Sequence, residues 1–187
     1  MSEKPEGQVP LEKVQEMIAE SETGARNPTG AVSKRVLFFV PLAWTLFQLW
    51  YSSPLPFMFN IFVFNSTEAR AIHLAFAIFL SYTAYPTFKS SPRDYIPLQD
   101  WAVALLAAFC AAYLFIFYEG LSDRPGDPTT LDLVVGVAGL IFLLEATRRA
   151  LGPPLMVVCG IFIIYTFGGP YMPAVISHKG ASLSKGM

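Results

Sequence analysis

Five stretches of this chain run with almost no charge: Val36 to Tyr51, Ala69 to Tyr85, Trp101 to Tyr118, Leu131 to Leu144 and Pro154 to Phe167. A helix on the surface of a soluble core alternates an apolar and a polar face, and these runs do not. A chain so patterned has few ways to satisfy its backbone other than as helices immersed in lipid. Charge supports this, because 14% of the 187 residues are charged, against about 25% in ordinary soluble domains. The expected fold class is therefore all-α, a helical integral membrane protein with about five transmembrane helices.

Crossing the hydrocarbon takes roughly 20 residues, about 17 at the short end. The second and third runs reach that length. The fourth does so once Glu145 to Ala150 are added, with arginines reaching to the headgroups. The fifth needs Pro154 to open it and Gly168-Gly169-Pro170 to close it near Tyr171. The first carries Pro41 near its expected start and ends at "YSSPLP"; the following "PFMFNIFVFN", within residues 54–64, is placed at the interface or as an extension of the first span.

The stretch "LLEATRRALGPPLMVV" interrupts the apolar pattern with one acid and two arginines. Gly152 suits a left-handed helix cap, and Pro153 and Pro154 suit the start of the next helix. Glu145 precedes Arg148 and Arg149 by three and four residues, the spacing for intrahelical ion pairs, at a helix C-terminus whose partial negative charge favours cations. The trio reads as a structural ion pair at a membrane boundary.

Lys and Arg gather on one side of such a bundle. Lys4, Lys13, Arg26, Lys34, Arg35, Lys89, Arg93, Arg148 and Arg149 fall with the N-terminus, and Arg70, Arg124, Lys179 and Lys185 fall opposite. The positive-inside bias predicts a cytoplasmic N-terminus and, after five crossings, an extracytoplasmic tail. Trp50, Tyr51, Trp101, Tyr118 and Tyr171 lie near expected boundaries, where aromatic belts form. Residues 1–33 differ in kind. Pro10 can open an amphipathic helix with Leu11, Val14, Met17 and Ile18 on one face, and "TGARNPTG" reads as a hinge after it. The acidic N-terminus lacks the pattern of a signal peptide.

Catalytic chemistry finds few candidates. Cys110 and Cys159 lie within expected spans and read as packing residues. His73 and His178 fall on opposite sides of one span without a third ligand, which disfavours a metal site. "NST" at Asn65 matches a glycosylation acceptor pattern. No nucleophile sits with a base and no glycine-rich phosphate loop is present, so no catalytic, substrate-binding or metal residue is assigned and the chain is expected not to be an enzyme. With a net charge of -1 it also lacks a basic stripe for nucleic acid. The spans do carry small residues. Ala104, Ala108 and Ala112, with Gly136 and Gly139, form expected helix-packing faces, either within the bundle or against a second membrane protein.

The turn "LLEATRRALGPPL" and the following "VCGIFIIYTFGGPYMPAVISHKGASLSKGM" resemble the fused permeases of tripartite ATP-independent periplasmic (TRAP) transporters, of the class served by TAXI-type binding proteins. In these a small four-helix, DctQ-like portion precedes a large transport portion. The resemblance runs from about Val36 in the order of spans. It implies a cytoplasmic N-terminal segment over residues 1–33, a four-helix membrane bundle over 34–150, a connecting helix over 151–171, and an extracytoplasmic tail over 172–187 leading to a transport portion that this sequence does not include. It further implies ion-gradient-driven uptake of organic acids handed over by an extracytoplasmic binding protein, in a bacterial or archaeal cytoplasmic membrane. This chain would serve as scaffold, with no cofactor of its own, and sodium or proton as coupling ion would bind in the transport portion. Two alternatives remain open from the residues: a free-standing membrane scaffold or assembly subunit of another complex, and an accessory subunit of a membrane enzyme.

Overall fold

The computed structural model describes residues 24–88 and 91–169. The expected amphipathic helix near Pro10, and the readings placed on Lys89, Tyr171, His178 and the tail over 172–187, lie outside the described residues. Within them the chain is all helical: α1 (Ala31–Ser52), α2 (Leu55–Phe59), α3 (Ser66–Ala84), α4 (Leu98–Ile116), α5 (Tyr118–Ser122), α6 (Thr130–Leu151) and α7 (Pro153–Gly168).

Each apolar run forms a helix, and the ends have local causes. The side chain of Asn65 accepts from the backbone N–H groups of Thr67 and Glu68, both at 2.9 Å, while Glu68 returns a bond to the Asn65 N–H. This reciprocal capping box satisfies the first orphan donors of α3, and it gives Asn65 a structural role in place of the acceptor pattern read from "NST". Thr129 and Asp132 cap α6 in the same way. Gly152 links α6 to α7 at φ +87° and ψ 172°, so the expected left-handed cap is corrected: φ is positive but ψ is extended, a combination only glycine adopts without strain. Pro153 and Pro154 then occupy the first positions of α7, where a missing N–H costs nothing.

Pro41 also departs from expectation. Because α1 begins at Ala31, the proline is the eleventh of its 22 residues and not near the start. Its carbonyl accepts from Thr45 Oγ1 at 2.9 Å.

The core is small. Ile78 and Tyr82 of α3 pack against Ala104, Ala107 and Ala111 of α4 and Ala146 of α6, and α3 and α4 form the most intimate pair. α1 rests on α3, α6 closes against both core helices, and α7 has α6 as its neighbour. Most large apolar side chains face outward, including Phe38, Leu46 and Leu49 on α1, Leu131, Val134 and Ile141 on α6, and Ile161, Phe162 and Ile164 on α7. No described residue of α7 is buried. Such continuous exposed apolar surface fits lipid, since soluble monomers rarely present patches beyond a few hundred Å². Three helices, α1, α4 and α6, are long and apolar enough to cross a membrane. Glu68 and Arg70 dilute the apolar character of the 19-residue α3, and α7 has 16 residues, about 24 Å at 1.5 Å per residue.

Candidate functional site

The ion pair expected within one turn of helix belongs to a larger assembly. Glu145 accepts two bonds from Arg148, at 2.6 and 2.7 Å, and one from Arg149 Nε at 2.9 Å. The α-helical rise brings residues three and four apart onto one face, so this part needs only local geometry. Arg149 then reaches 3.3 Å to Asp100 Oδ1 in the first turn of α4, and its guanidinium lies 4.4 Å from the Tyr82 ring centre. Arg148 Nη2 donates to the Thr87 carbonyl at 2.9 Å.

Asp100 and Arg26 complete the assembly, and neither stands out as a site residue in the sequence. Asp100 is 3% exposed and pairs through its other oxygen with Arg26, itself 5% exposed. Arg26 also closes the C-terminus of α3. Its backbone N–H donates to Ala84 O at 2.7 Å, and its guanidinium donates to the carbonyls of Tyr82, Thr83 and Pro92 at 3.2 to 3.3 Å. The last carbonyls of a helix have no intrahelical partner, and a cation placed there also meets the negative end of the helix dipole. Thr87 Oγ1 donates to Asp100 at 3.3 Å.

The described part of "TGARNPTG" is therefore no loose hinge. Gly24 to Thr29 is anchored by Arg26 and by Thr29, whose N–H donates to Asp94 O at 2.8 Å. Three guanidinium groups and two carboxylates join the chain before α1, the α3 end, the α4 start and the α6 end at one level of the bundle. Every charge in it has an opposite partner, so the assembly reads as a girdle that fixes helix ends, with no free nucleophile or ligand set. Among the described residues no three His, Cys, Asp or Glu side chains gather as for a metal.

The opposite end has a lighter counterpart. Tyr113 OH donates to Asp132 Oδ1 at 2.6 Å, and Arg124 pairs with the same carboxylate at 3.1 Å. This ties the end of α4, the following loop and the α6 cap.

The packing residues divide. Ala104 and Ala107 are fully buried and Ala111 nearly so, while Ala108 and Ala112 are half-buried and line an apolar groove of about 310 Å³ with Val40, Ile72, Ala75, Phe76 and Phe79. The contact stripe is thus Ala104, Ala107 and Ala111, spaced three and four, and not Ala104, Ala108 and Ala112. A strict period of four rotates by about 40° each step around a helix of 3.6 residues per turn, which carries Ala108 and Ala112 out of the α3 contact and into the groove. Gly139 lies against α4, where an added Cβ would stand 3.6 Å from Cys110 Cβ. Gly136 is half-buried. Cys110 and Cys159 are free thiols.

Comparison of the chain with protein-family models, with curated proteins and with solved structures gives no match.

Proposed function

We propose that this chain is a five-span membrane scaffold, the small portion of a TRAP-type permease that steadies a separate or continuous transport portion, and that it performs no catalysis. The observation that carries the scaffold reading is the charged girdle. A bundle whose helix ends are locked by Arg26, Asp100, Glu145, Arg148 and Arg149 suits a fixed frame and not a moving element, which needs two arrangements.

Parity supports the number of spans. Arg26 precedes α1 and Asp100 opens α4, yet the two share an ion pair, so both belong on one side of a bilayer. If α1 crosses, α3 must cross back. Asp100 likewise meets Arg149 at the end of α6, which makes α4 and α6 an outward and returning pair. α7 then leaves as the fifth span, its 16 residues extended by flanking chain or by local thinning of the bilayer. The girdle holds three arginines and two acids, and the positive-inside bias sets that end in the cytoplasm.

Transport itself is assigned to the partner. A transporter's site needs discontinuous helices and polar groups at mid-depth, whereas the groove between α1, α3 and α4 is lined by apolar side chains. The partners proposed are the transport portion, the extracytoplasmic binding protein for an organic acid, and lipid. In liposomes with a sodium or proton gradient and a panel of organic acids, residues 1 to 187 alone are expected to give no uptake above empty vesicles. Addition of a transport portion and its binding protein is expected to restore uptake. Gradient-driven uptake by the chain alone would overturn the assignment.

A further inference from the structure

Between Ala71 and Ala84 every residue of α3 is buried or half-buried except His73. Lipid asks for the reverse, with apolar side chains outward and the imidazole covered. His73 is the eighth residue of α3, about 10 Å along the axis from Ser66. Because α3 packs along α4, a helix fit to span, this position falls inside the hydrocarbon rather than among headgroups.

Two side chains of α1 fix the state of the imidazole. Trp44 Nε1 donates to His73 Nδ1 at 3.2 Å, and the side-chain amide of Gln48 bonds to the same nitrogen. An indole N–H is only a donor, so Nδ1 carries a lone pair and the ring is neutral with its proton on Nε2. The Gln48 amide must then turn its NH₂ toward Nδ1, leaving Oε1 without a donor. One open donor, His73 Nε2–H, and one open acceptor, Gln48 Oε1, stand side by side on the exposed edge of the α1–α3 pair, and no described residue meets either. In hydrocarbon no water can satisfy them.

We propose that a second copy of this chain docks on this face, with His73 Nε2–H of each protomer donating to Gln48 Oε1 of the other across a two-fold axis along the membrane normal. The occupant follows from depth. Such an axis keeps every group at its own level, and Gln48 and His73 already share a level because they bond within one protomer. A symmetric pair therefore matches donor to acceptor twice without further adjustment. A different helix would have to bring both an acceptor and a donor to that one level. Leu49, 61% exposed, and the exposed Thr45 flank the pair and add apolar contact on closure.

This inference rests on the proposed reading of α3 as a span, and the test separates the two. The protein, with Cys110→Ala and Cys159→Ala and a fluorophore at Asp127→Cys, is reconstituted in phosphatidylcholine vesicles over a range of protein densities. Energy transfer between donor- and acceptor-labelled copies is expected to exceed random proximity and to saturate. Interhelical hydrogen bonds in membranes contribute modestly each, so loss of two is expected to raise the half-association density about tenfold in His73→Leu and in Gln48→Leu. His73→Gln, which keeps a donor, is expected to stay within about threefold of the parent. Helix content by circular dichroism shows whether each variant is folded. Random-proximity transfer in the parent, or association unchanged in both leucine variants, would overturn the dimer. Impermeant-thiol labelling of Gln99→Cys and Asp127→Cys from opposite sides would show that the spans stand even if the dimer fails.

Discussion

Replacing Asp100 by asparagine should unsettle the bundle more than any other single loss of charge. The carboxylate is 3% exposed and holds Arg26, Arg149 and Thr87 together. Removing one partner of a buried ion pair costs about 3–5 kcal/mol, because the remaining charge stays desolvated. Here the lower end applies. Arg26 keeps the carbonyls of Tyr82, Thr83 and Pro92, and Arg149 keeps Glu145 and the Tyr82 ring, so the expected loss is about 3 kcal/mol. For a chain of this size each kcal/mol shifts Tm by roughly 2–4 °C, giving a fall of roughly 6–12 °C for Asp100→Asn. Thermal unfolding of the purified protein in detergent, followed by intrinsic tryptophan fluorescence, reads this directly. Asp94→Asn is the control, since that side chain is exposed on the same loop. A change of less than about 2 °C for Asp100→Asn, or equal falls for the two variants, would refute the view that the girdle locks the helix ends.

Two further outcomes follow from the same contacts. Glu145→Gln should lower Tm more than Glu119→Gln, because Glu145 is bonded to two arginines while Glu119 lies exposed on α5; its partial exposure keeps the loss to about 1 kcal/mol, and equal melting temperatures would mean a merely solvated pair. Ala104→Leu should destabilise by about 1–3 kcal/mol through overpacking, whereas Ala108→Leu points into the apolar groove and should be neutral or stabilising, an order that thermal unfolding of the two variants would reverse if the groove were a tight contact.

What could be read from the sequence was what is local. The apolar runs gave the helices because lipid requires self-satisfied backbone wherever such runs occur, and Glu145, Arg148 and Arg149 were legible because helical spacing alone brings them together. Arg26 and Asp100 were not. They stand 74 residues apart, each in a polar stretch that resembles solvent-facing chain, and only the return of α3 between them makes them neighbours. The alanines show the same limit on a smaller scale. Their abundance on α4 announced a packing helix, but whether Ala107 or Ala108 meets α3 depends on the rotation of α4, which a helix rich in alanine on several faces does not specify. His73 was visible as a lone histidine in a span; its pairing with Trp44 and Gln48 required knowing that α1 lies against α3.

The central claim is that the chain crosses the bilayer five times with the girdle in the cytoplasm, and thiol accessibility tests it most directly. In a background lacking Cys110 and Cys159, single cysteines are placed at Gln99 beside the girdle, at Asp127 in the α5–α6 loop, and at Ser182. A membrane-impermeant maleimide is then applied to intact cells and to inverted vesicles. The account predicts that Gln99→Cys labels only in inverted vesicles, and that Asp127→Cys and Ser182→Cys label only in intact cells. Labelling of Gln99→Cys and Asp127→Cys from the same side, or of Ser182→Cys from the side of Gln99→Cys, would contradict it.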